Sequence, residues 1–134
     1  PYYHVPDGAG AGTRTILSEW PGNAGYLASS ANATLTVQKA TPYIWVMPRT
    51  VAQGGIARMY AYFRRLADYQ PQTDKTVTFS VDGTPVQTVV TDAAGIARYQ
   101  YTTVEAPGVH TMRCEFAGDA WVEAGYGEAS LTIY

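Results

Sequence analysis

Residues 108–134 read GVHTMRCEFAGDAWVEAGYGEASLTIY, and they lie over residues 12–38, GTRTILSEWPGNAGYLASSANATLTVQ, without a gap. The identities are Gly12/Gly108, Thr15/Thr111, Glu19/Glu115, Gly22/Gly118, Ala24/Ala120, Ala28/Ala124, Ala33/Ala129, Leu35/Leu131 and Thr36/Thr132. Ile16/Met112, Ser18/Cys114, Trp20/Phe116, Asn23/Asp119 and Val37/Ile133 keep their chemistry. Self-similarity at a fixed period marks a repeat architecture, and the spacing here is that of a small β-sandwich domain. Farther upstream, Tyr3 and Val5 fall opposite Tyr99 and Tyr101. The expected organisation is one whole repeat at 43–134, a linker at 39–42, and at 1–38 the last three strands of another repeat.

Each copy has the alternation of a strand with one buried face. Met112, Cys114 and Phe116 are separated by Arg113 and Glu115; Ala129, Leu131 and Ile133 alternate again near the end of the chain. Ile16, Ser18 and Trp20, then Ala33, Leu35 and Val37, hold the same places in the earlier copy. Within the whole repeat, 43–47 is an apolar run closed by Pro48, and Gln53-Gly54-Gly55 turns the chain into 56–65. There Ala57, Met59, Ala61 and Phe63 alternate with Arg58, Tyr60, Tyr62 and Arg64. Ala, Met and Arg are good helix formers, but the strict alternation and the recurring aromatics point to a strand. Residues 66–74 form the longest loop. Val77, Phe79 and Val81 make the next inward set, Asp82-Gly83 is a hairpin turn, and 85–91 answers it. A turn at 92–95 leads into 96–102, with Ala97, Tyr99 and Tyr101 inward. The expectation is seven short strands, with a core built on Met59, Phe63, Phe79, Tyr99, Met112, Phe116 and Leu131.

At 134 residues with a net charge of −2, the chain offers no electrostatic case for nucleic acid or an anionic membrane. No apolar run approaches the ~18 residues of a transmembrane helix. The absence of an initial Met or signal sequence reads as a mature or excised fragment. Cys114 is the single cysteine, so no intrachain disulfide forms, and its inward position marks it as a core residue.

Seven strands at regular intervals with turn signals between them make an immunoglobulin (Ig)-like antiparallel β-sandwich. TDAAGIARYQY at 91–101 and APGVHTMRCEFAGDAWVEAGYGEASLTI at 106–133 resemble the bacterial Ig-like repeats of adhesins and other large surface proteins. The pattern of those repeats is a Thr-Asp-x-x-Gly turn, then Gly-x-His-Thr and a Gly-Asp before an alternating last strand. The earlier copy looks like the same segment with Asn23 in place of the Asp. The resemblance implies an extracellular or cell-surface location, a spacer or binding-tip role, neighbouring Ig-like repeats or subunits as partners, and no cofactor.

Little in the chain suggests catalysis. His4 and His110 have no partner cluster to make a metal site, no nucleophile motif is present, and Asp92 and Asp119 read as turn formers. Lys75 beside Thr76 gives little basis for an isopeptide cross-link. Asn32-Ala33-Thr34 has the form of a glycosylation sequon. Arg58, Tyr60, Tyr62 and Arg64 share one side of a strand, and by Ig topology the neighbouring strand adds Arg98 and Gln100. With Trp45 and Trp121 they make either an ordinary sheet surface or a contact surface for a subunit or a glycan. A second surface follows from the partial repeat, whose Tyr3, Ile16, Trp20, Leu35 and Val37 lack the earlier strands of their sandwich. It is expected to be completed by strands from upstream or from a neighbouring subunit, the latter linking subunits into a filament by strand complementation.

Overall fold

The computed structural model describes residues 10–134; the expected strand carrying Tyr3 and Val5, and His4 within it, lie outside them. The chain divides into two compact units, one ending at Lys39 and the other spanning Ala40–Tyr134. In the first unit, β1 (Gly12–Trp20) and β2 (Ser29–Val37) form an antiparallel hairpin.

The second unit holds β3 (Pro42–Val46), β4 (Arg49–Val51), β5 (Ile56–Arg65), β6 (Thr76–Val81), β7 (Thr84–Val90), β8 (Ile96–Thr102), β9 (Gly108–Phe116) and β10 (Gly125–Ile133). One sheet has the order β4-β10-β9-β6-β7 and the other β3-β5-β8. All pairings are antiparallel except β4 with β10. The two sheets close on one core, an Ig-like antiparallel β-sandwich. Period-two alternation decides which side chains enter it. Ala57, Met59, Ala61 and Phe63 of β5 are buried, as are Met112, Cys114 and Phe116 of β9. Phe79 and Leu131 join them, while Tyr99 is only partly buried against the cluster. Its phenol brings a polar oxygen, which favours a seat at the margin.

Eight strands stand where seven were expected, because the first apolar run and the residues after it pair with different sheets. Met47 N–H still donates to Tyr60 O at 3.0 Å. Pro48 then brings a fixed φ and no N–H, and the chain crosses over to run parallel to β10 as β4. The stretch 39–42 is not free chain throughout: Ala40 N–H donates to Trp121 O at 2.7 Å and Ala40 O accepts from Glu123 N–H at 2.9 Å. The Asp82-Gly83 turn between β6 and β7 has φ of 48° and 82°, the pair of positive angles that a tight two-residue hairpin requires.

β3 passes so close to β10 that side chains are excluded there. A Cβ added at Gly127 would stand 2.1 Å from Ile44 O, and one at Gly125 would stand 2.5 Å from Pro42 Cγ. The first obstacle is backbone, which cannot rotate away. Gly127→Ala should therefore lower the unfolding free energy by about 1–3 kcal/mol, the usual cost of overpacking, as read by urea denaturation. An unchanged midpoint would refute this account of the β3–β10 approach.

Candidate functional site

The outward residues of β3, β5 and β8 form the first candidate surface. Register places Trp45 opposite Tyr62, Tyr43 opposite Arg64, Tyr60 opposite Arg98 and Arg58 opposite Gln100. The Trp45 and Tyr62 rings lie 5.3 Å apart at 46°, and Trp45 remains 43% exposed. Tyr60 lies between two guanidinium groups, Arg49 at 4.9 Å and Arg98 at 5.9 Å from the ring centroid. Cation–π attraction favours both guanidinium groups beside the ring. Arg98 also pairs with Asp92, whose Oδ1 accepts from Ala94 and Ile96 N–H. The hydrogen bond from Ile96 leads the effects that hold the Asp92 carboxyl below its ordinary range.

Six of the residues expected here, Trp45, Arg58, Tyr60, Tyr62, Arg64 and Arg98, thus share one face. Trp121 does not. It lies in the loop between β9 and β10, half-buried and packed against the core. Arg49 was missed by the sequence reading. It sits on β4, beyond Pro48, yet its Nε donates to Arg58 O at 2.7 Å, and alternation within β5 carries no trace of that crossing.

The second candidate surface is the β1–β2 hairpin, which matches β9–β10 rung for rung. Gly12 pairs with Val37 and Trp20 with Ser29, as Gly108 pairs with Ile133 and Phe116 with Gly125. The connecting loops agree as well. Gly22 and Gly118 have φ of 81° and 93°, Asn23 N–H donates to Tyr26 O at 2.9 Å, and Asp119 N–H donates to Val122 O at 2.9 Å. The Asn23 side-chain oxygen accepts from Gly25 N–H, while an Asp119 carboxylate oxygen accepts from Trp121 and Val122 N–H. The surroundings differ. Val122 is buried at 2% exposure, whereas Tyr26, in the matching place, is 74% exposed and Trp20 46% exposed. Ile16, Leu35 and Val37 are half-buried.

Polar side chains elsewhere mostly fasten loops. Lys75, at the foot of β6, pairs with Asp119. Burial pushes the Asp119 carboxyl up, but Lys75 and the loop N–H groups more than offset it and leave it below its ordinary range. Cys114 is fully buried, and burial pushes its thiol up to about 12. Among the described residues no group of three His, Cys, Asp or Glu could hold a metal ion, and no helix is long and apolar enough to cross a membrane.

No protein-family model matches the chain, and no curated protein matches it. Among solved structures it is similar to the fibronectin(III)-like modules of Clostridium thermocellum CbhA, with 13% identity over 68% of this chain and 95% of that one, at a TM-score of 0.47. It is also similar to the N-terminal Ig1-2 module of the Drosophila receptor protein tyrosine phosphatase DLAR, with 23% identity, 70% and 49% coverage and a TM-score of 0.49. The chain thus covers about half of that module. Chimeric titin Z1Z2 functionalized with a decorin peptide gives 16% identity, 72% and 98% coverage and a TM-score of 0.47.

His110 lies near the start of β9. Its Nδ1 lies 2.6 Å from Asp82 Oδ2 and its Nε2 lies 2.8 Å from Ala106 O. Both neighbours are acceptors, so both ring nitrogens must donate, and the geometry suits the imidazolium. The Asp82 hydrogen bond accordingly leads the effects that raise the His110 pKa above 6.5. Asp82 is lowered, chiefly by the hydrogen bond from Thr111 N–H and then by His110. A raised folded-state pKa stabilises fully below the unfolded value, and that contribution is lost as pH rises through the folded one. The difference in Tm between the chain and its His110→Gln variant should therefore shrink as pH climbs through and above 6.5. A constant difference across that range would sink this assignment.

Proposed function

We propose that this chain is a structural, non-catalytic segment of an extracellular or cell-surface protein built from tandem Ig-like modules. In this reading β1–β2 is the closing hairpin of a second module, completed by strands of another Ig-like unit that a neighbouring subunit supplies within a filament. The observation that carries it is the shared nine-rung register of the two hairpins, together with the matched loop between their strands.

The complete module defines what the hairpin lacks. There β6 pairs antiparallel with β9 through Thr78/Glu115 to Val81/Met112, and β4 runs parallel to β10 along 131–133. The counterparts are 16–19 on β1 and 35–37 on β2. The completing unit would thus lay one antiparallel strand on β1 and one parallel strand on β2, with Ile16, Ser18, Trp20, Leu35 and Val37 turned to its core. Ser29 and Ala31 stand where the complete module has Gly125 and Gly127, so the strand crossing β2 would sit farther out than β3 does over β10. An open strand edge beside apolar side chains is a template for such pairing.

Light scattering on the 134-residue chain should report assemblies larger than a monomer. Trp20→Asp, which would bury a carboxylate in the shared core, should release monomers whose β3–β10 sandwich keeps its circular dichroism and melting cooperativity. A monodisperse monomer of the unaltered chain would overturn supply by a neighbouring subunit.

A further inference from the structure

Charge is unevenly placed on the complete module. The chain has 9 Lys and Arg against 11 Asp and Glu, yet the outward residues of β3, β5 and β8 include Arg58, Arg64 and Arg98 and no carboxylate. Arg49 reaches the same face by lying over Tyr60. Asp92 offsets Arg98, and Arg64 is spent on the neutral Tyr69 carbonyl. Arg58 is exposed, and its guanidinium has no hydrogen-bond or ion-pair partner among the described residues. A local positive field on a chain of net charge −2 asks for an anionic ligand.

The relief of the face narrows the class of ligand. Arg58, Tyr60, Arg98, Tyr99 and Gln100 line an open groove, and beyond it the exposed Trp45 leans on the half-buried Tyr62. Successive outward residues on a strand stand about 6.6 Å apart and neighbouring strands about 4.8 Å. Cations and ring faces therefore recur at the spacing of sugar units. An acidic peptide would need closed pockets for anchoring side chains, and this face is open. A nucleic acid would need a longer basic stripe to release its counterions.

We propose that the outward face of β3, β5 and β8 binds an acidic polysaccharide, with a sugar ring stacked on Trp45 and the polymer's carboxylate or sulfate groups held by Arg58. Guanidinium groups bind both anions in paired hydrogen bonds, and that of Arg58 is committed to no partner among the described residues. The inference is independent of how β1–β2 is completed.

Titration of the full chain with polygalacturonate, dextran sulfate, neutral dextran, polyglutamate and duplex DNA tests it, at low and at raised salt. Binding is expected for one or both acidic polysaccharides, weakening with salt, and much weaker for the other three probes. The two acidic polysaccharides tell carboxylate from sulfate. Arg58→Glu should weaken binding about tenfold or more, as expected for the loss of one charge-assisted contact, and Trp45→Ala should also weaken it. Thr88→Glu, exposed on β7 of the opposite sheet, should not. Matching melting curves would show that each variant is folded. No binding to either acidic polysaccharide, or equal binding by Arg58→Glu, overturns the proposal. So does comparable affinity for polyglutamate or DNA, or indifference to Trp45→Ala, since either would reduce the face to a bare charge patch.

Discussion

Phe63 of β5 and Phe116 of β9 meet across the two sheets, with ring centroids 4.9 Å apart and planes inclined at 59°. A tilted aromatic pair in a dry core contributes beyond the area it buries, and this pair spans the gap that every other contact between the sheets must respect. Met59, Phe79, Met112 and Leu131 fill the space around it with no exposed surface. The outward residues inherit their positions from that packing. Trp45 can lie against Tyr62, and Arg98 along Tyr60, because the partners beneath them hold β3, β5 and β8 in register.

Period-two alternation makes most of this legible in the sequence. Inward β5 residues could be read off as every second apolar side chain, and Arg58, Tyr60, Tyr62 and Arg64 followed as their complement. Turn chemistry was equally direct: Asp82-Gly83 adopts the positive φ pair its composition suggests, and Asp92 and Asp119 bind the backbone N–H groups that follow them. Features set by chain crossing were not legible. Pro48 announces an end to β3, but nothing local says that 49–51 will resume in the other sheet and deliver Arg49 to Tyr60. Trp121 was misjudged for a related reason. The sequence groups it with the outward aromatics, whereas it is half-buried against the core of the β3–β10 sandwich.

The two hairpins separate what a local sequence encodes from what a whole module adds. Rung pairing and loop hydrogen bonds are common to both, so they follow from short-range instructions: a glycine with positive φ, an Asn or Asp after it, and alternating strands on either side. Burial is not common to both. Val122 is covered and Tyr26 is open, although both loops are closed by the same backbone hydrogen bond. Non-local packing, rather than hairpin geometry, therefore accounts for the difference between them.

The seat of Cys114 has one more consequence. A thiol with no exposure and a pKa pushed to about 12 holds almost no thiolate at neutral pH, and alkylating reagents act on the thiolate. Modification therefore waits for the sandwich to open, and its rate measures that opening. The single sulfur is thus an indelible record of whether the β3–β10 sandwich has ever come apart, and the earlier copy, with Ser18 in the matching place, leaves none.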